Sequence, residues 1–244
     1  LTLPAGETSG SGAAPLPMIV LVHGGPHGIY DTWGFDTEAQ LFASQGYAVL
    51  QVNYRGSGGR GQEFMAAGYG KWGAEMQDDI TDTVRYIIAE GIADKDRICI
   101  YGASYGGYSA MAGAFRNPDL YQCAVGYVGV YDLPMMFNRG DIPEAEAGIN
   151  YLKDALGTDT DDLKARSPTH NADRIKAATM LIHGKLDERA PFAHAIAMRK
   201  ALTEAGNPPE RLVEDREGHG FRDPDNRLAM YKKLLAFFEA HIGD

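Results

Sequence analysis

The chain has 244 residues, 44% of them apolar and 23% charged, with a net charge of −10 and an isoelectric point near 5.1. That length accommodates one α/β domain with a full core. The acidic balance argues against a nucleic-acid partner, and no apolar run approaches the roughly 20 residues that span a bilayer, so no membrane is expected.

Leu1 to Pro4 reads as an edge strand, and Ala5 to Pro17, rich in Gly, Ser, Ala and Pro, as a flexible surface loop. Leu1-Thr2-Leu3-Pro4 looks like the tail of an element, which leaves an upstream segment open. No signal peptide is visible; a cytoplasmic location is favoured, with a periplasmic or secreted one open if such a segment exists. Met18 to Val22 is a continuous apolar run and so a central strand. It ends in His23-Gly24-Gly25-Pro26-His27-Gly28. Asp31 to Tyr47 carries a helix stopped by Gly46, and Tyr47 to Asn53 is the next strand. A glycine-rich loop leads to a helix from about Glu75 to Glu90, ended by Gly91.

Ile98 to Tyr101 reads as a strand covered on both faces, and Gly102-Ala103-Ser104-Tyr105-Gly106 then fits G-x-S-x-G, a sharp strand-to-helix turn. Glycines at Gly102 and Gly106 remove Cβ atoms where the chain packs closely on either side of the serine. The positive end of the following helix points where negative charge would develop. Further strands are expected at Cys123 to Val128, Thr179 to His183 and Arg211 to Val213, with helices at Ala193 to Ala205 and Asp225 to His241. Cys99 and Cys123 fall in buried strands and read as small apolar core residues rather than a disulfide or metal site. Strand and helix alternate throughout, which gives an α/β-hydrolase fold: a doubly wound, mostly parallel sheet with helices on both faces. The reading is one domain over 1–244, with Asp132 to Ser167 as a helical insertion over the site.

Sites in such sheets sit at the carboxyl ends of strands. Asp187 stands in a turn just past a strand, with Glu188 and Asp215 as rival carboxylates. His219 lies between Gly218 and Gly220 in a loop before the last helix. The order Ser104, Asp187, His219 is that of a hydrolase triad: the histidine takes the serine proton and the aspartate fixes the imidazole tautomer. His183 falls inside a strand and reads as a core residue, His194 and His241 as solvated helix residues, and His170 as a residue of a polar stretch with no partner motif. Gly25 and Tyr105 are expected to supply backbone amides to an oxyanion hole. His23 and His27 are a weak metal pair without a third ligand, so no metal and no cofactor is expected. Gly56 to Gly61 matches G-x-G-x-x-G but lacks the following strand of a dinucleotide fold, and reads as a loop shaping the rim of the site. Tyr105, Met135, Met136 and Phe137 are equally well read as an acyl pocket or as core packing; the substrate-binding residues stay unknown.

Five segments resemble the catalytic domain of the prolyl oligopeptidase family of serine peptidases, its acylaminoacyl-peptidase and dipeptidyl-peptidase branches matching best: Val22 to Pro26, Asn53 to Gly58, Gly102 to Tyr108, His183 to Asp187 and Glu217 to Phe221. The resemblance implies the same triad of Ser104, Asp187 and His219, with Gly25 and Tyr105 as oxyanion donors. It implies a peptide or small acyl substrate, cleaved through an acyl-enzyme. Some relatives use a tyrosine hydroxyl where His23 stands; that donor is absent here. Family members usually carry an N-terminal β-propeller, which is not present in this sequence, so both a catalytic domain of a longer protein and a standalone hydrolase stay open. A carboxylesterase using the same triad is the alternative, and a non-catalytic interaction domain a third reading. A homo-oligomer is also open.

Overall fold

The computed structural model describes residues 1–7 and 14–243; the 8–13 part of the loop expected over Ala5 to Pro17 lies outside the described residues. Six parallel strands form one sheet: β1 (Leu16–Val22), β2 (Ala48–Gln51), β3 (Ala93–Ala103), β4 (Cys123–Tyr127), β5 (Ala178–Gly184) and β6 (Glu210–Glu214), in the order β2-β1-β3-β4-β5-β6. The chain steps outward from β1 to β2, returns past β1 to β3, and then proceeds in one direction. That reversal places helices on both faces. The helices are α1 (Thr37–Ser44), α2 (Gln62–Ala66), α3 (Glu75–Ala89), α4 (Tyr105–Arg116), α5 (Glu146–Leu156), α6 (Thr160–Ala165), α7 (Ala193–Glu204) and α8 (Pro224–Ile242).

Alternation along the strands divides the core. Met18, Val20 and Val22 face the layer built by α3, α4, α5 and α7, while Ile19 and Leu21 face α1 and α8. On the second face the buried Phe238 meets the rings of Phe42, Tyr47 and Tyr101 edge-on; its truncation to alanine would cost about 3–5 kcal/mol. Helix starts follow local chemistry: Asp36 caps α1, Asp159 caps α6, and Asp223, followed by Pro224, caps α8. Parallel register aligns the strand ends, with Val22 opposite Gly102 and Ala103 opposite Tyr127. Every loop that carries chemistry therefore leaves from one edge of the sheet.

Three expectations are corrected. Leu1 to Pro4 is not a strand: Thr2 makes a single antiparallel bridge to Val49. Cys99 and Cys123 are buried as expected but form a disulfide, with Cα atoms 4.6 Å apart. The register pairs them directly across β3 and β4, a juxtaposition that no local pattern reveals. His194 is fully buried rather than solvated, because α7 packs against the sheet and the ring accepts the Tyr131 amide at Nδ1, 3.1 Å away.

Candidate active site

Ser104 ends the turn from β3 to α4 at φ 59°, ψ −118°. A non-glycine residue there costs about 1–3 kcal/mol and persists only when its surroundings fix it. They do. The Ser104 amide donates to the Tyr127 carbonyl at 2.9 Å, and its carbonyl accepts the Tyr108 amide at 3.1 Å. A Cβ on Gly102 or Gly106 would fall on the Val22 carbonyl, and one on Gly107 would lie 3.0 Å from Gly129 Cα. The glycine spacing thus reports three backbones in contact.

The His23 to Gly28 segment lies alongside. A Cβ on Gly24 would sit 3.5 Å from Ser104 Cβ, and Gly25 adopts φ 111°, a conformation open to glycine. The segment is braced from below. His23 stacks on Tyr54 at 4.4 Å between ring centres, and its Nε2 lies 2.9 Å from the Ser57 hydroxyl. The Tyr54 hydroxyl donates to the His23 carbonyl at 3.0 Å. A Cβ on Gly58 would strike the Gly28 carbonyl, so the Gly56 to Gly61 loop wedges against this segment. His27 stacks on Tyr69 and lies 3.1 Å from the Tyr151 hydroxyl.

Asp187 and His219 come from the turns after β5 and β6. His219 Nδ1 is 2.9 Å from Asp187 Oδ2 and 3.1 Å from Oδ1. A carboxylate only accepts, so Nδ1 carries the proton and Nε2 is left as a free base. The Asp187 side chain is fully buried whereas the imidazole is 30% exposed, so only the histidine reaches the cavity. Burial pushes the Asp187 pKa up, but donation from His183 and His219, the His219 charge and the Ala190 amide outweigh it and hold the group at about 2. The carboxylate is therefore ionised at neutral pH. Neither Glu188 nor Asp215 pairs with His219; Asp215 bonds Lys185 instead.

Ser104, His219, Gly25 and Tyr105 border one cavity of about 740 Å³. Trp72, Val130, Met136 and Tyr151 give it apolar walls, and the Arg189–Asp141 ion pair, 2.7 Å long, stands at its edge. Of the pocket candidates, Met136 and Tyr105 both line the cavity and belong to the core, Phe137 packs on the core and Met135 does neither. The buried Tyr105 ring lies against Tyr54, Trp72 and Tyr108.

A family model described as the prolyl oligopeptidase family matches residues 33–244. The chain belongs to the prolyl oligopeptidase family. It is 36% identical to dipeptidyl aminopeptidase BIII of Pseudoxanthomonas mexicana over 252 aligned positions, covering all of this chain and 36% of that protein. It is 28% identical to the acylamino-acid-releasing enzyme of Sus scrofa, covering 93% of this chain and 32% of the other. Among solved structures, the uncomplexed acylaminoacyl peptidase of Pyrococcus horikoshii superposes with a TM-score of 0.87 at 30% identity, over 96% of this chain and 38% of that one. A puromycin-hydrolyzing peptidase of Mycobacterium tuberculosis gives 0.88 at 29% identity, over 95% and 35%. The chain spans about a third of the length of the relatives it matches.

Two groups in this family member have roles that sequence reasoning did not assign. Tyr127 holds the Ser104 amide with its carbonyl, and its hydroxyl accepts the Phe221 amide, two residues past His219. Its place at a strand end was legible; its double duty was not. The buried Glu217 carboxylate accepts the Arg222 and Asp223 amides at 2.8 and 3.0 Å and the Asn226 amide group at 2.8 Å, closing the loop that presents His219. Its position two residues before the histidine, at the head of the Glu217 to Phe221 segment, was the available signal.

Proposed function

We propose that this chain is the catalytic domain of a serine peptidase that cleaves peptide or acyl-amino-acid bonds through an acyl-enzyme on Ser104. The observation that carries the reading is that a strained serine and the His219 of the Asp187–His219 pair border one cavity. His219 Nε2 accepts the Ser104 proton as Oγ attacks the substrate carbonyl. The tetrahedral oxyanion receives hydrogen bonds from the Gly25 and Tyr105 amides, the latter at the start of α4 where the helix end adds positive potential. His219 then passes the proton to the leaving amine, and the acyl ester forms on Ser104. Water enters, gives its proton to His219, and attacks the ester; collapse frees the acid and returns the proton to Ser104. Asp187 stabilises the imidazolium in both halves. The names of the relatives, dipeptidyl aminopeptidase and acylamino-acid-releasing enzyme, support an amide substrate, and the apolar cavity walls support an apolar acyl side chain.

The test is kinetics on a p-nitrophenyl ester and an N-acylated amino-acid p-nitroanilide sharing one acyl group, with active sites counted by a fluorophosphonate label. Anilide turnover is expected. Ser104→Ala should abolish labelling and reduce kcat by about 10⁴-fold or more; retained labelling would overturn the assignment. Ester turnover without anilide turnover would make the protein an esterase. The proposal includes the helical stretch 132–167 as an insertion over the site, an accompanying β-propeller that selects substrates, and a homo-oligomer; sizing the full-length protein checks the last two.

A further inference from the structure

His183 is 1% exposed in β5, where a core role would be unremarkable. Its contacts are not those of packing alone. Nε2 lies 2.7 Å from the Ala190 carbonyl and 3.3 Å from Asp187 Oδ2. Both neighbours are acceptors, so Nε2 carries the proton, directed chiefly at the Ala190 carbonyl with the Asp187 oxygen as the longer second acceptor. Nδ1, buried without a partner, is the bare lone pair. The Asp187 carboxylate thus receives four N–H groups: the Arg189 amide at 3.0 Å and the Ala190 amide at 2.8 Å on Oδ1, His183 on Oδ2, and His219. Besides His219, His183 is the side-chain donor in that set, and it reaches the same oxygen. Ala190 closes the arrangement, giving its N–H to the carboxylate and taking the His183 proton on its carbonyl.

We propose that His183 is a positioning residue for the reaction proposed above: an Nε2-protonated imidazole that fixes the Asp187 carboxylate against His219 and tempers its basicity. The inference rests on that reading of the triad. Without the Nε2–H donor, Asp187 would turn more freely and hold the His219 Nδ1 proton more strongly. The first effect lowers turnover; the second makes the imidazolium harder to deprotonate. The other titratable or charged groups facing this cluster are His194 from α7, Tyr131 from the loop after β4, and Arg189 and Arg139. None of them donates a hydrogen bond to the carboxylate from a side chain.

The test compares His183→Leu with His183→Gln, whose amide can return a donor. In the full-length chain, His183→Leu should lower kcat by about ten- to a hundredfold, the size of a lost hydrogen bond to a charged group, with KM little changed. It should also shift the acid limb of kcat/KM to higher pH. His183→Gln should recover most of both. An acid limb that stays in place or moves lower in a folded His183→Leu variant would overturn the proposal, as would a glutamine variant no better than leucine. Should leucine prevent folding, nitrogen NMR of the ¹⁵N-histidine-labelled parent decides: His183 must carry a proton at Nε2, and the Nδ1 tautomer would refute the proposal. Fluorophosphonate labelling of the parent at Ser104 keeps the two readings apart, since a labelled enzyme indifferent to His183 loses only this inference.

Discussion

Ser104 is held by backbone against backbone, whereas the Asp187 and His219 side chains are held by hydrogen bonds from other elements. On the serine side, Gly102, Gly106 and Gly107 let three chain segments touch, and the strained φ follows from that crowding. On the acid–base side the two turns also touch, a Cβ on Gly184 falling on the Glu217 carbonyl, but the catalytic side chains themselves are ordered by hydrogen bonds that involve His183, Tyr127 and Glu217. Steric constraints of the first kind tolerate almost no substitution. Hydrogen-bonded constraints of the second kind fail by degrees, each contributing about 1–3 kcal/mol.

The largest effect should come from breaking the first kind. Gly106→Ala puts a methyl group on the Val22 carbonyl, and neither backbone can retreat without disrupting β1 or α4. A stability loss of about 4 kcal/mol or more is expected, read as a collapse of the urea midpoint. A variant with the parental midpoint and intact fluorophosphonate labelling would show that the elbow is not sterically fixed. Next in size is Asp187→Asn. The amide cannot match the Nδ1–H donor of His219 as a carboxylate does, the tautomer shifts, and kcat should fall about 10³–10⁴-fold with the circular dichroism unchanged. A tenfold loss or less would mean that another group orients His219.

The same contrast decides what could be read from the sequence. The elbow was legible because crowding can be met only by glycine at fixed spacing, and the His23 to Gly28 segment likewise. Asp187 was legible from its place in a turn just past a strand, His219 from the glycines on either side, and both from their order along the chain. Their supports were not, since His183 in β5 and Tyr127 in β4 look like ordinary strand residues until the register brings their ends together. The same holds for the Cys99–Cys123 bridge and for the buried His194, whose fates depend on which elements pack side by side. Strands and long helices were placed within a few residues, because continuous apolar runs and 3.6-residue periodicity are local; the Leu1 to Pro4 strand failed because an edge pairing is not.

Tyr127 sharpens the comparison, for it serves both sides by different groups. Tyr127→Phe leaves the carbonyl that holds Ser104 and removes the hydroxyl that accepts the Phe221 amide. A loss of about 1–3 kcal/mol of stability, with kcat/KM reduced about tenfold, would place the damage in the His219 loop. An unaltered kcat/KM would show that this loop is fixed without it, leaving Glu217 as its main support.

The smallest effect at neutral pH is also the one in which the two sides respond with opposite sign. His194, on the acid–base side, has its pKa lowered to about 3, first by burial and then by the nearby His183. Asp31, in the loop that continues from the His23 to Gly28 segment, is raised to about 6, first by burial and then by Asp36. As pH falls below about 6.5, the unfolded chain protonates His194 and the folded one does not, so stability drops by about 1.4 kcal/mol per pH unit until about pH 3. As pH falls through about 6, the folded chain protonates Asp31 while the unfolded one waits until about 3.8, so stability rises at the same rate. Between about pH 6 and 4 the two contributions cancel, and the parent should show little slope from this pair. Single substitutions uncover them. Relative to the parent, His194→Asn, which keeps an acceptor for the Tyr131 amide, should gain stability as the solution is acidified, and Asp31→Asn should lose it. Urea midpoints at pH 7, 6, 5 and 4 read both differences, and curves that run parallel to the parent would show that neither group titrates out of step with the unfolded chain.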